Sequence, residues 1–233
     1  MKLEISNLSK SYGEKAVLKD INFTFESGKI YALIGRNGAG KTTFFNSLND
    51  DIVVDSGSFK LSDADISSDL KSSDIGYVIS TPVVPEFLTA REFLEFFIEI
   101  NKDKVDHDID YYFDLVKINK VDQDKLLKDY SHGMKNKMQI LINVITNPKV
   151  ILLDEPLTSL DIVVQEDMKK LLRSLKGDHI IIFSTHILEL ALDLCDEIVI
   201  INDGHMELVE KDDLNKAKYK KKIIDSLKDV KND

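Results

Sequence analysis

The sequence predicts an α/β chain with a parallel sheet, an antiparallel β part at its N-terminal end and an inserted helical segment. Three observations carry this. The runs Ile30–Ile34, Val150–Leu153 and Ile180–Phe183 are short and continuously apolar, as strands buried on both faces are. Leu3–Leu8 and Val17–Phe25 alternate apolar and polar residues, the pattern of half-buried antiparallel strands. From about Glu86 to Asn147 the apolar spacing becomes helical.

The elements follow in order. Tyr12-Gly13 makes a turn between the first two strands. Alone, Tyr12 is a surface tyrosine; beside a nucleotide site its ring has adenine to stack on, because every base offers a π-face. After the strand Ile30–Ile34 comes Gly35-Arg36-Asn37-Gly38-Ala39-Gly40-Lys41-Thr42, which fits G-x-x-x-x-G-K-[ST], and Thr43–Leu48 then continues as a helix. Glycines let the backbone turn tightly and bring its N–H groups to phosphate oxygens, and the helix points its positive end at the same anion. The pattern assigns Lys41 to the β- and γ-phosphates and the Thr42 hydroxyl to Mg²⁺. Asp55-Ser56-Gly57-Ser58 predicts a turn and Ile75–Ile79 a strand. Ser80–Pro85 must leave regular structure, because Pro82 and Pro85 interrupt it.

Thr89-Ala90-Arg91-Glu92 is a capping box. It opens a helix whose Phe93, Leu94, Phe96, Phe97 and Ile100 read as a face packed on neighbours, in preference to an aromatic ligand pocket. Ile109, Tyr112, Phe113 and Val116 mark a second helix. A third starts at about Met134, carries Met138, Leu141, Ile142 and Ile145 on one side, and stops at Asn147-Pro148. Strands return with Val150–Leu153, Ile180–Phe183 and Ile198–Ile201, and Asn202-Asp203-Gly204 is a turn. Lys211–Asp233 is polar and helix-compatible; Lys218-Tyr219-Lys220-Lys221-Lys222 reads as a solvated helix face, with contact to anionic lipid as the alternative.

Two strand ends carry chemistry, since open α/β sheets bind ligands beyond their strands' C-terminal ends. Asp154 follows an apolar strand and is placed to hold Mg²⁺ through water, and Glu155 to face a γ-phosphate and activate water. An acidic surface turn is the alternative. His186, after Ser184-Thr185, stands to sense a γ-phosphate or to serve the fold. Composition narrows the partners. A net charge of −10 over 233 residues disfavours broad nucleic-acid binding. The single cysteine, Cys195, excludes an internal disulfide, is expected in the core, and points to a reducing compartment. Met1-Lys2-Leu3-Glu4 has no signal-peptide character, and no uninterrupted apolar run approaches spanning length. A cytosolic chain, linked to membrane only through a partner, is expected.

In this order the motifs resemble those of the nucleotide-binding domains of the ATP-binding cassette family, across about Leu3–Glu210. That family carries a signature, usually Leu-Ser-Gly-Gly-Gln, where this chain has Tyr130-Ser131-His132-Gly133-Met134-Lys135. This version is similar to that of bacterial drug, bacteriocin and polysaccharide exporters with a separate ATPase subunit. Asp154-Glu155-Pro156 and Leu157-Thr158-Ser159-Leu160-Asp161 match the family's second acidic motif and D-loop; Thr185-His186 and Tyr12 match its switch histidine and adenine-stacking position.

The resemblance implies one ATPase domain over residues 1–233. Residues 1–85 and 148–210 form a P-loop NTPase core with an antiparallel β part, 86–147 a helical subdomain and 211–233 a helical tail. It implies ATP and Mg²⁺ as cofactors, with Glu155, His186 and Lys41 as catalytic residues and Thr42 and Asp154 at the metal. The nucleotide falls to Tyr12, Gly35, Asn37, Gly38, Ala39, Gly40, Lys41, Thr42 and Thr43. Ser131 and Gly133 would contact the ATP of a second copy in a head-to-tail homodimer. A transmembrane permease subunit, met through the helical insert and the segment near Ser80, would hold the chain on the cytoplasmic membrane face. One departure stands out: Ser80 occupies a position where the family usually has glutamine, sometimes glutamate. It opens the alternative of a regulatory subunit with little turnover. A soluble ATPase acting on a protein assembly is a further alternative.

Overall fold

The computed structural model describes residues 1–64, 66–158, 160–209, 220, 221, 223 and 224. Along the chain these form β1 (Lys2–Tyr12), β2 (Lys15–Glu26), β3 (Lys29–Ile34), α1 (Lys41–Leu48), β4 (Ser56–Asp63), β5 (Ile66–Asp69) and β6 (Ile75–Val78). Then come α2 (Ala90–Ile100), α3 (Ile109–Leu115), α4 (Lys120–Gln123), α5 (His132–Ile145), β7 (Val150–Asp154), α6 (Ile162–Ser174), β8 (Ile180–Thr185), α7 (Leu188–Leu194), β9 (Glu197–Asn202) and β10 (His205–Val209).

Two sheets result. One has the order β2-β1-β4-β5 and is antiparallel throughout. The other has the order β10-β9-β3-β8-β7-β6; its strands run parallel except β10, which returns antiparallel on β9. Side chains alternate across a strand, so each central strand feeds two cores. Ile30, Ala32 and Ile34 of β3, with Ile151, Leu153, Ile181 and Phe183, pack toward Leu94, Phe113 and Leu141 of the helical segment. Tyr31 and Leu33, with Val150, Leu152, Ile180 and Ile182, pack toward Leu3, Leu8, Phe25 and Phe44. This double burial is why β7 and β8 read as unbroken apolar runs. Cys195 is buried in the first core, as expected. No helix among the described residues is long and apolar enough to cross a membrane.

The capping box forms as the sequence predicts: Thr89 Oγ1 accepts from Glu92 N–H at 3.1 Å, and Glu92 Oε2 accepts from Thr89 N–H at 2.8 Å. Three expectations need correction. Asp55–Ser58 is not all turn, because β4 begins at Ser56. Gly57 is instead required by a close strand crossing: its φ is +118°, and a Cβ there would stand 2.7 Å from Leu8 Cα. The third helix begins at His132, ahead of its first apolar anchor, because Ser131 supplies the cap. Strand β5, exposed at all four residues, carries no apolar alternation to announce it. Finally, α2 does not bury all five apolar residues: Phe93 and Leu94 are buried, while Phe96 and Ile100 face solvent. The tail from 211 onward lies outside the described residues except 220, 221, 223 and 224, where exposed Lys220 pairs with Glu189 at 3.1 Å and Ile223 is buried.

Candidate active site

Three neighbouring strands, β3, β8 and β7, end at the same edge of the sheet. Their registers pair Ile34 with Thr185 and Asp154 with Ser184, so the segments that follow them meet. After β3 the chain must pass beneath β9. A Cβ at Gly35 would stand 2.6 Å from Ile201 Cγ2 and 2.8 Å from the Ile201 carbonyl, so only glycine fits. Gly40 takes φ +109° and starts α1 with no side-chain cap. A helix start leaves backbone N–H groups in want of acceptors.

Lys41, in the first turn of α1, is buried. Its Nζ donates to the Gly35 carbonyl at 2.8 Å and lies 3.8 Å from Glu155 Oε1. Burial pushes the Lys41 pKa below its ordinary value, against the opposing pull of the Glu155 and Asp154 charges. Thr42 Oγ1 donates to Asp154 Oδ2 at 2.9 Å. Glu155 leaves β7 with φ +50°, a left-handed conformation that costs a non-glycine residue about 1–3 kcal/mol. Its carboxylate is held from two sides: Thr158 Oγ1 donates at 3.0 Å, and His186 Nδ1 lies 3.0 and 3.1 Å from its two oxygens.

Lys41, Thr42, Asp154 and Glu155 line a cavity of 390 Å³ with Tyr12, Lys15, Val17, Asn37, Gly38, Gly40, Thr43 and Ser80. Tyr12 is 51% exposed, its ring 5.1 Å from Lys10 Nζ. The structure therefore brings Tyr12, Asn37, Gly38, Gly40, Lys41, Thr42, Thr43, Asp154 and Glu155 together. Gly35 lies beneath the loop, Ala39 is packed against the second core, and His186 joins through Glu155. Ser131 and Gly133 are not in the cavity wall. Ser131 is exposed and caps α5, accepting from Met134 N–H at 3.3 Å. Gly133 is buried, and a Cβ there would stand 3.1 Å from Val164 Cγ1 of α6.

Residue-pattern reasoning missed Thr158 and Ser184. Ser184 Oγ donates to Asp154 Oδ1 at 2.5 Å and accepts from Glu155 N–H at 2.9 Å. One signal was available: a hydroxyl closing an otherwise apolar buried strand must find a partner. Thr158 carries a weaker one, three residues beyond Glu155 in a turn.

A family model described as ABC transporter matches residues 18–158. The bacitracin transport ATP-binding protein of Enterococcus faecalis is 30% identical over 223 residues, covering 94% of this chain and 72% of its own length. The lantibiotic transport ATP-binding protein of Streptococcus pyogenes is 33% identical over 208 residues, with 88% and 89% covered. Among solved structures, a dimeric ATP-binding cassette in a post-hydrolysis state bound to ADP and Pi superposes with a TM-score of 0.73 at 23% identity, over 88% of this chain and 98% of that one.

Proposed function

The chain belongs to the ABC transporter family, as an ATP-binding and ATP-hydrolysing subunit, and we propose that it powers an exporter through a membrane partner. The observation that carries this reading is the meeting of Lys41, Thr42, Asp154 and Glu155, from two distant segments, in one cavity.

In this reading the N–H groups of the loop and of the first turn of α1 hold phosphate oxygens. Lys41 exchanges its bond to the Gly35 carbonyl for the β- and γ-phosphates, whose charge opposes the effect of burial on the ammonium. Asn37, Gly38, Gly40 and Thr43 line the phosphate path, and Gly35 and Ala39 shape it from beneath. Tyr12 stacks on adenine.

Mg²⁺ fits the donor set. The Thr42 hydroxyl and Asp154 carboxylate are hard oxygen donors already in contact. Among the described residues no three His, Cys, Asp or Glu side chains cluster to hold a metal alone. That suits an ion shared with phosphates and water. When bound, Mg²⁺ supplies charge neutralisation at the phosphates. Glu155 accepts a proton from the water that attacks the γ-phosphorus, and His186 and Thr158 hold the Glu155 carboxylate for this.

Ser131 and Gly133 serve the ATP of a second copy in a head-to-tail homodimer. That a cassette of similar fold is dimeric supports pairing with a second copy. The names of the bacitracin and lantibiotic transport relatives support export. A transmembrane permease docks on segment 83–100, where Val83, Phe87, Phe96 and Ile100 are exposed, and places the chain on the cytoplasmic face of the membrane. The proposed domain spans 1–233, with 86–147 as helical subdomain between the core segments 1–85 and 148–210.

Ser80, in the cavity wall, favours a second reading, a subunit that binds ATP and turns over slowly. A steady-state phosphate-release assay on the isolated protein separates them. Sustained turnover at saturating Mg-ATP, alone or on addition of the membrane partner, supports the motor; tight binding with little turnover in both conditions supports the regulatory subunit.

A further inference from the structure

One buried hydroxyl beside the cavity has no role in the chemistry above. Ser184 lies on β8, between β3 and β7, and is fully buried outside the cavity lining. Its neighbour in register is Asp154. A serine hydroxyl has one donor and two acceptor sites. Ser184 spends the donor on Asp154 Oδ1, at 2.5 Å, and one acceptor site on the backbone N–H of Glu155, at 2.9 Å. The other oxygen of Asp154 is taken by Thr42, so hydroxyls from two directions hold the carboxylate. The bond to Glu155 falls where the backbone adopts φ +50°. Such a conformation persists only where its surroundings enforce it, and Pro156, the next residue, has no N–H to contribute.

We infer that Ser184 is a positioning residue for hydrolysis. Through one hydroxyl it sets the carboxylate of Asp154 and the strained backbone from which Glu155 projects. The inference rests on the reading in which Glu155 activates water. Ser184 touches neither nucleotide nor water in that reading; it acts through its two neighbours. A loss of this clamp lets Glu155 relax toward ordinary φ, which swings its side chain away from the attacking water while the phosphate loop stays intact. The consequence is a loss of rate without a loss of binding.

Full-length Ser184→Ala and Ser184→Thr proteins test this against the parent and Glu155→Gln. For Ser184→Ala, kcat is expected to fall about tenfold, the lower end of the effect of removing an outer partner of a ligating group, with KM and ATP affinity within about twofold. In the nucleotide-free protein, hydrogen exchange at the Glu155 amide should quicken, and Ser184→Thr should recover slow exchange and most of kcat. An unchanged kcat in Ser184→Ala overturns the inference. So does a parallel fall in kcat, ATP affinity and Tm that threonine does not reverse, the pattern of a loosened sheet. The ATPase reading fails separately: Glu155→Gln would then hydrolyse ATP at the parent rate, whatever Ser184→Ala does.

Discussion

Helices α1 and α5 both begin beside a glycine, and their first turns are built in opposite ways. At α1 the cap position is Gly40, forced to φ +109°, with no side chain to accept from the first turn. The lysine that follows is buried, and burial weighs against its charge. At α5 the cap is Ser131, in extended conformation, and its own hydroxyl accepts from Met134 N–H. Gly133 serves there to let α5 approach Val164, with no positive φ involved. Every helix start must find acceptors for its N–H groups. The start of α5 finds one within the chain, whereas α1 withholds its own and keeps a cation beside the gap. In the proposed function the first is a socket for phosphate, and the second meets ATP only where another copy presents it.

Four substitutions test this contrast. The largest effect belongs to the chemistry on the α1 side. Glu155→Gln should lose about 10²–10⁴-fold in kcat, the usual worth of a general base, while ATP binding persists. Phosphate release at the parent rate would remove Glu155 from the account. Next is the socket itself. Lys41→Ala should weaken ATP binding about ten- to a hundredfold, the roughly 1.5–3 kcal/mol of a charge-assisted contact. Its stability should also change in a pH-dependent way. Burial lowers the Lys41 pKa in the folded state, so between the folded and unfolded values the unfolded chain binds more protons. The nucleotide-free parent therefore gains stability as pH rises through that window, and Lys41→Ala should lack this gain in denaturant titrations.

At α5 the expected effects are smaller and of another kind. Ser131→Ala removes a helix cap and should cost about 1 kcal/mol, roughly 2–4 °C in Tm. ATP affinity of the monomer should stay at the parent value, and a fall in it would place Ser131 in its own chain's site. The smallest effect is at Ser80, where a glutamine side chain would reach farther into the cavity than the hydroxyl does. Ser80→Gln should raise basal hydrolysis a few-fold with binding unchanged, the signature of better water placement. Kinetics identical to the parent's, both with and without a membrane partner, would remove Ser80 from that position.

The contrast also sorts what the sequence made legible. The socket was legible because its requirements are local: a glycine loop, a lysine and a threonine between an apolar strand and a helix. The central strands were legible because burial on both faces leaves an unbroken apolar run. Strand β5 was not, since all four of its residues are exposed and carry no pattern. Gly57 looked like a turn residue because the crossing strand that demands it, at Leu8, is distant in sequence. The outward Phe96 and Ile100 share the spacing of the buried Phe93 and half-buried Phe97 side of α2, and periodicity alone does not say how wide a face is covered. Ser184 and Thr158 were hidden for a related reason: their importance lies in what they touch across strands and turns, which spacing does not report.

In the proposed dimer the socket at α1 is completed by the α5 start of a second copy. Light scattering on Glu155→Gln measures this most directly, because blocked hydrolysis holds ATP in place and ligand binding favours the associated form. The expected result is a monomer mass without nucleotide, a dimer mass with ATP, and a monomer mass with ATP once Ser131→Arg is added, although that double variant still binds ATP. A stable ATP-dependent dimer carrying the arginine, or a Glu155→Gln protein that stays monomeric with ATP fully bound, would contradict it.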